Sequence, residues 1–281
     1  MPSMIDHIVI VDRDLGVLVE QARSVGFTVT PGGEHAGGMT HNALIAFQDG
    51  SYIELIAFIE PEKRSTHRWW SRLWKGGGLT DFALLCDDLA AEVAAINDRG
   101  LVVPEPEGNG RLRPDGERLE WQSSFPQPVV GETGMPFVIE DRTPRSLRVP
   151  HADDETTHAN GVTGIAGITL VVKDIDSSAL ALGAITGNPV ESVDTNAAGV
   201  LAAKRSAVGS QPGHWIVIAQ PDVTRVDDLN EGGLPAKYLE KYGHGPFSAV
   251  LTTGASPGSL APTSGAEIDA NLLAGSRLRI A

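Results

Sequence analysis

The stretch Ile5-Asp6-His7-Ile8-Val9-Ile10-Val11 decides how this chain folds. It is rich in β-branched residues and bounded by polar ones, which is typical of a mostly buried strand. Apolar residues then recur at helical spacing as far as Gly26, where a left-handed C-cap forms easily, so a helix should follow. Three further strands are predicted at 27–30, 42–47 and 52–58. The unit is therefore β-α-β-β-β.

The same order of elements recurs in the next part of the chain. An apolar strand at 79–86 leads into a helix that ends at Gly100. Later strands are predicted near Val102, at 119–125 and at 137–139, with a Gly/Pro/charge-rich excursion at 104–116. The first half thus contains a second, less regular module.

The second half of the chain repeats the first. Residues 168–175 can be laid on 8–15, and residues 213–218 on 50–55. Between the halves the chain is acidic and poor in large apolar side chains, as expected of a linker. The predicted organisation is a first domain at 1–149, a linker at 150–161 and a second domain at 162–281.

The charge balance limits the partners of the chain. Its 22 Lys and Arg stand against 36 Asp and Glu, a formal charge of −14, which repels nucleic-acid phosphates and anionic membranes. We expect a small-molecule substrate and neither a nucleic-acid nor a membrane partner. The single cysteine, Cys86, forms no internal disulfide, and neither a signal peptide nor a membrane span is evident, so a cytoplasmic location is expected. A homodimer is expected because isologous dimers are the commonest oligomers.

Several motifs resemble the glyoxalase-like branch of the vicinal-oxygen-chelate superfamily. Besides the opening strand, they are Thr40-His41-Asn42-Ala43-Leu44-Ile45, Tyr52-Ile53-Glu54-Leu55-Ile56, the stretch 110–116, Leu119-Glu120-Trp121-Gln122 and Pro136-Phe137-Val138-Ile139-Glu140. Together they cover residues 4–145. The resemblance implies an α+β fold of tandem βαβββ modules that form cupped mixed sheets, here duplicated as two halves.

The resemblance also implies a metal site at the first and last strands of each module. These positions correspond to His7, Glu54, Asp81 and Glu140. His7, Glu54 and Glu140 would bind a divalent Zn, Mn, Fe or Ni ion, and the shorter Asp81 would complete the shell or orient a water molecule. A three-ligand site, or no metal, is left open. In the second half the corresponding positions hold Gly167, Val217 and Ser248, none of which is a metal ligand.

Other polar and aromatic residues are candidates for the same site. Glu54 is the strongest, because a carboxylate among apolar neighbours is costly to bury unless it is paired. His41 is interpreted as an acid/base, whereas His35, in a glycine-rich loop, is interpreted as solvated. The candidates for substrate binding are Asn42, Tyr52, Arg111, Arg113 and Trp121.

Two functions are compatible with these features. The first is a metal-dependent enzyme that acts on a small oxygenated organic substrate as an isomerase, lyase, hydrolase or dioxygenase. The alternative is a non-catalytic binding protein of the bleomycin-resistance type, with a cup lined by aromatic side chains. Convergence of His7, Glu54 and Glu140 would favour the enzyme, and their divergence would favour the binding protein. No glycine-rich phosphate loop follows a predicted strand, which disfavours a Rossmann or P-loop enzyme.

Overall fold

A computed structural model describes residues 1–113, 115–126, 134–195, 197–209, 213–228, 230–254, 266–269 and 271–281. The strands are β1 (Met4–Asp12), β2 (Thr30–His35), β3 (Thr40–Ala46), β4 (Tyr52–Phe58), β5 (Gly78–Leu85), β6 (Glu107–Leu112), β7 (Arg118–Ser124), β8 (Phe137–Asp141), β9 (Gly164–Val171), β10 (Val190–Val193), β11 (Val200–Val208), β12 (His214–Pro221), β13 (Gly245–Thr252), β14 (Ala266–Glu267) and β15 (Arg277–Ile280). The α-helices are α1 (Leu15–Ser24), α2 (Trp70–Trp74), α3 (Leu89–Asp98), α4 (Arg145–Arg148), α5 (Asp153–Thr156), α6 (Ile175–Thr186) and α7 (Leu234–Tyr242). Short 3-10 helices lie at Val223–Arg225, Glu231–Gly233 and Leu273–Gly275.

The first eight strands close into a barrel in the order β1-β4-β3-β2-β6-β7-β8-β5. Within module one, β1 to β4, the first strand pairs parallel with the last. Module two, β5 to β8, repeats that parallel pairing, and β1 joins β5 antiparallel. The predicted pair of βαβββ modules is confirmed, but the second strand of module two is β6, inside the stretch predicted as an excursion, and the described residues around Val102 form no strand. On the other side the modules meet at β2 and β6, where only Glu34↔Leu112 and His35↔Arg111 are paired.

The second half forms an open sheet in the order β10-β11-β12-β9-β13-β15-β14. Its β9 pairs parallel with β12 so that Gly167 lies opposite Trp215, just as His7 lies opposite Tyr52 in the barrel. The duplication predicted from the sequence is therefore present in the strand register. A side chain at Gly167 has no room, because a Cβ there would lie 2.1 Å from the Trp215 ring.

One apolar core joins the two sheets. The outer face of β1 contributes Ile8 and Ile10, and β9 and β12 contribute Ile168 and Ile218, all fully buried in the same cluster. Burial of apolar area is the main favourable term in folding, so the second half stabilises the barrel wall that carries β1. None of the described helices is long and apolar enough to cross a membrane.

The segment between the two sheets is fixed to the barrel at His158. This segment, predicted as a linker, carries α5, and His158 is buried against Phe27 and Phe47. The His158 Nε2 lies 2.9 Å from the Ala46 carbonyl, and its Nδ1 accepts from the Thr28 N–H at 3.0 Å. A neutral imidazole protonated on Nε2 satisfies both contacts, because Nδ1 must keep its lone pair.

We expect this anchor to weaken on acidification. Burial lowers the pKa of His158 below its ordinary 6.5, against the opposing effect of the Ala46 carbonyl. The stability that the neutral ring contributes is complete above its unfolded-state pKa and is lost as the pH falls through the lower folded-state pKa. The free energy of unfolding, from urea titrations at about pH 7.5 and about pH 5, should therefore fall less in His158→Gln than in the wild type. The exposed His151→Gln is the control, and equal slopes in all three proteins would refute the assignment.

Candidate active site in the barrel

A cavity of about 180 Å³ opens inside the barrel and is lined by both modules. Module one contributes polar side chains, those of His7, His35, Asn42, Tyr52 and Glu54. Module two contributes the apolar and aromatic side chains of Trp121, Phe125, Phe137 and Ile139, together with the polar side chains of Asn109, Arg111 and Ser123. The aromatic part of the lining therefore comes mainly from module two, whereas both modules supply polar groups.

His7 lies on β1 beside an irregularity in the strand. The pairing of β1 with β5 shifts between Ile5 and His7, which leaves Asp6 without a paired residue on β5. Such shifts re-aim side chains and are common next to active sites. The His7 Nδ1 lies 2.6 Å from the Asp6 carboxylate, and its Nε2 lies 3.5 Å from Glu54 Oε2. Tyr52 stacks on the imidazole with ring centroids 4.6 Å apart, so the ring orientation is fixed from three sides.

The Asp6 carboxylate has no exposed surface and is held by two arginines of α4. Arg148 donates to its two oxygens at 2.8 and 3.0 Å, and Arg145 donates to Oδ1. Arg148 also binds Asp141 of β8. Burial alone would raise the pKa of Asp6, but the charges of both arginines and the contact with His7 outweigh it and hold the pKa well below its ordinary value. Asp6 is therefore ionised.

Glu54 is buried between two imidazoles and an amide. Its Oε1 accepts from Asn42 Nδ2 at 2.5 Å and lies 3.2 Å from His35 Nε2. The His35 Nδ1 lies 2.8 Å from Thr40 Oγ1, which orients that ring. Burial alone would raise the pKa of Glu54, but the hydrogen bond and charge of His35, followed by the charge of His7 and the Asn42 hydrogen bond, lower it to about 2. Glu54 is thus a fixed negative charge at the cavity.

The contacts of His7 create a defined position for a proton. Because Asp6 is ionised, the His7 Nδ1 donates to it, which leaves the Nε2 facing the Glu54 carboxylate. In a neutral ring Nε2 is an acceptor that faces another acceptor, whereas a proton on Nε2 turns the contact into a favourable one. A proton carried on Nε2 therefore points at Glu54 Oε2, 3.5 Å away.

Arg111 is a buried cation at the edge of the cavity. Its guanidinium donates to Asn42 Oδ1 at 3.0 Å and to the Arg148 carbonyl at 3.1 Å, and both are neutral acceptors. Its Nε is buried without a hydrogen-bond partner. Burial lowers the pKa of Arg111, which reflects the cost of removing its charge from water.

Arg113, predicted with Arg111 to bind substrate, lies outside the cavity lining. It donates to the Leu147 carbonyl and pairs with Asp115 at 2.9 Å. Pro114, between these two residues of the predicted turn, lies outside the described residues. Only one of the two predicted arginines therefore reaches the site.

His41 and Glu140 were predicted as site residues, but the structure places both away from the cavity. Neighbours on a strand point to opposite faces, so Asn42 faces inward and His41 outward. On β8 the inward residue is Ile139, while Glu140 accepts from the Leu89 N–H at 2.9 Å and pairs with Arg142. The expected convergence of Glu140 with His7 and Glu54 is thereby corrected.

Asp81, predicted to act in catalysis or to complete a metal shell, holds the loop above the cavity. Its carboxylate accepts from the Trp69 indole at 2.8 Å and pairs with Arg68 at 3.1 Å. The strand residue opposite His7 is Ala83 rather than Asp81. The residues that Asp81 binds line the cavity, and its own carboxylate is engaged by them.

Asp6, His35 and Arg148 are among the residues around the site that were missed from the sequence. Asp6 could have been found from the sequence, because it directly precedes His7 and a carboxylate beside an imidazole can fix the orientation of its ring. His35 was interpreted as a loop residue, whereas it closes β2 and pairs with Arg111 across the module boundary. Arg148 lies 142 residues from its partner Asp6, so no local pattern announces that contact.

The residues present do not fit the four-ligand metal centre that the resemblance implies. Of the four positions that the resemblance implies, only His7 and Glu54 meet at the cavity. Glu140 accepts from the Leu89 N–H, and the Asp81 carboxylate is held by Trp69 and Arg68. Glu140 and Asp81 therefore lie outside the cavity lining. In the part of the chain that the structure describes, no group of three or more His, Cys, Asp or Glu side chains is arranged to hold a metal ion.

A barrel of two βαβββ modules with side chains converging inside it defines a protein of the vicinal-oxygen-chelate superfamily. The family model of the glyoxalase-like domain matches residues 5–186. Because this match covers more than half of the 281 residues, the chain belongs to that family.

Solved structures share the fold of the chain. A hypothetical protein from Staphylococcus aureus aligns over 99% of this chain and 98% of its own, with a TM-score of 0.65 and 14% identity. A mutant of 4-hydroxymandelate synthase from Streptomyces coelicolor aligns over 90% and 72%, with a TM-score of 0.60 and 13% identity. A fusion of a xylose isomerase-like TIM barrel with 4-hydroxyphenylpyruvate dioxygenase aligns over 96% of this chain and 40% of its own, with a TM-score of 0.54 and 15% identity. At these identities the likeness concerns the fold. A search of curated proteins found no match.

Gly32 on β2 offers a test of how tightly the polar half of the cavity is packed. A Cβ at this position would lie 1.9 Å from Asn42 Oδ1 and 2.6 Å from Arg111 Nη1. We expect Gly32→Ala to lower the free energy of unfolding, measured by urea denaturation, by about 1–3 kcal/mol through overpacking. Gly108→Ala is the matched control on β6, because no atom lies within 4 Å of its Cβ position. A Gly32→Ala protein as stable as Gly108→Ala would contradict the packing described.

Proposed function

We propose that the barrel cavity is the active site of an enzyme that moves a proton on a small oxygenated organic substrate. The observation that carries this proposal is the row Asp6–His7–Glu54, in which an ionised buried carboxylate orients an imidazole whose free nitrogen meets the cavity. The family and the fold support an enzyme of the vicinal-oxygen-chelate type, since the neighbours in solved structures include proteins titled as a synthase and a dioxygenase fusion.

The three residues take different roles in this proposal. Glu54, with a pKa of about 2, has little affinity for a proton near neutral pH and is a weak base. His7 is the proton carrier: its Nε2 takes the proton from a carbon next to a carbonyl group, and the bonding pair moves to the carbonyl oxygen to give an enolate. Asp6 stabilises the imidazolium through Nδ1, and Glu54 stabilises the proton on Nε2. Delivery of that proton from Nε2 to the enolate oxygen gives the enol and completes a keto–enol isomerisation.

The remaining polar groups position the substrate and the charges. Arg111 supplies a cation for the oxygen atoms of the substrate, because fixed donors are most effective in a water-poor site. Asn42 binds both Glu54 and Arg111, so it holds the negative and positive groups at a fixed separation. Tyr52 and Trp121 limit the space beside the two histidines.

The metal ion predicted from the sequence stays a prediction, as do the homodimer and the cytoplasmic location. Of its three predicted ligands, His7 and Glu54 meet at the cavity and Glu140 does not. Metal analysis of the purified protein after incubation with Zn, Mn, Fe and Ni tests it directly. If the wild type and Glu140→Gln bind stoichiometric metal and Glu54→Gln does not, the metal ion binds at this site and would supply a Lewis acid there.

A non-catalytic binding protein is the second candidate. Two observations favour it: Glu140 does not converge with His7 and Glu54, and β8 of module two presents the apolar side chains of Phe137 and Ile139 to the cavity. Such a wall can hold a ligand without taking part in chemistry. Binding without any proton exchange would support this candidate.

Solvent proton exchange separates the two candidates. In D2O, the wild-type protein should catalyse deuterium incorporation next to the carbonyl of small 2-oxo acids or hydroxyketones, followed by proton NMR. Glu54→Gln should lower the exchange rate about 10²-fold or more, because the stabilised proton position is lost. Glu140→Gln is the matched control, since Glu140 lies outside the cavity. Equal rates in these two variants would sink the assignment of Glu54.

A further inference from the structure

The charge of Arg111 has no anionic partner in the described parts of the chain. Its two hydrogen bonds go to an amide oxygen and to a backbone carbonyl, and its Nε has no acceptor. Only 4% of its surface is exposed, and it lines the cavity. A buried charge is costly unless it is paired. By comparison, Arg148 is fully engaged by Asp6, Asp141 and Tyr52.

A second part of the cavity lining, from the end of β7 and from β8, is aromatic. Phe125 and Phe137 pack on each other with centroids 4.7 Å apart, and Trp121 lies edge-on to His35. Arg68 stacks over the Phe125 ring at 3.8 Å and closes this side near the mouth. A wall of rings favours a flat apolar group, because aromatic pairs gain energy beyond their buried area.

The volume restricts what can be enclosed. A dry protein cavity of roughly 150 Å³ accommodates benzene, and the cavity here measures about 180 Å³. The enclosed space therefore has room for a single aromatic ring with at most a short side chain and excludes a second ring. The net charge of −14 repels anions at long range, so local cations must draw an anionic ligand in.

Resting on the proposed function, we infer that the substrate is a small aryl carboxylate. Its carboxylate binds the guanidinium of Arg111, and its ring lies against the wall of Trp121, Phe125 and Phe137. Arg is suited to this role because its planar donors match the two oxygens of a carboxylate. The reacting carbon then lies between the cation and the His7 Nε2.

Isothermal titration calorimetry with phenylpyruvate, phenylpyruvamide and pyruvate tests the inference. The wild-type protein should bind phenylpyruvate at least tenfold more tightly than the neutral amide, which lacks the charge, and than pyruvate, which lacks the ring. Equal affinity for phenylpyruvate and its amide would overturn the role of the carboxylate, and equal affinity for phenylpyruvate and pyruvate would overturn the role of the ring.

Variants of Arg111 test where the carboxylate of phenylpyruvate binds. Arg111→Met should weaken phenylpyruvate binding at least tenfold and leave amide binding unchanged, whereas Arg111→Lys should restore part of the loss. Arg113→Met is the matched control and should change affinity less than twofold, because Arg113 lies outside the cavity lining. Wild-type affinity in a folded Arg111→Met would refute the assignment. If Arg111→Met does not fold, as judged by circular dichroism, the ligand comparison in the wild type decides.

Failure of the substrate class and failure of the proposed function give different results. Tight binding of phenylpyruvate without deuterium exchange would leave the ligand class standing and refute the enzyme. Exchange on non-aromatic 2-oxo acids without binding of aryl acids would refute the ligand class and leave the proton-transfer role standing.

Discussion

The buried carboxylate of Asp6 is the interaction on which the barrel and its site both depend. An isolated ion in a protein interior costs several kcal/mol, so Asp6 is tolerated only with Arg145 and Arg148 beside it. These arginines lie on α4, which follows the last barrel strand, and Arg148 also grips Asp141 on that strand. The same carboxylate orients His7. The contacts of one carboxylate therefore connect β1 to α4 and β8 and also orient the imidazole of His7.

The architecture could be predicted from the sequence because it depends on local patterns of apolar residues. The β-branched run at the start, the helical spacing after it and its repetition predicted paired modules and a duplicated half, and the strand registers agree. Glu54 was selected because a carboxylate among apolar strand residues is costly to bury unless it is paired, and His7 because the resemblance implies a site residue at that position. Both face the cavity.

The predictions for Glu140 and His41 depended on the strand register, which decides the face of the sheet to which each side chain points. A slip of one residue sends a side chain to the other face of a sheet, and this separates Glu140 from Ile139 and His41 from Asn42. Because the pairing of β1 with β5 shifts, the residue opposite His7 is Ala83. The alternation of apolar residues in the sequence does not predict such a shift. His35 follows Pro31 and two glycines, a poor strand signal, and it is fixed only by pairing with β6. Arg148 reaches Asp6 across most of the barrel sequence, so its role depends on tertiary structure.

The narrow junction between β2 and β6 has a consequence for how the barrel exchanges its contents. Few backbone pairs hold this junction, and regions with few hydrogen bonds open locally at low free-energy cost. One of its two pairs is His35 with Arg111, both of which line the cavity. Local opening of the wall at this junction would therefore separate His35 from Arg111. A ligand that entered here would reach the site before its side chains were in place, and the site would form as the junction closed.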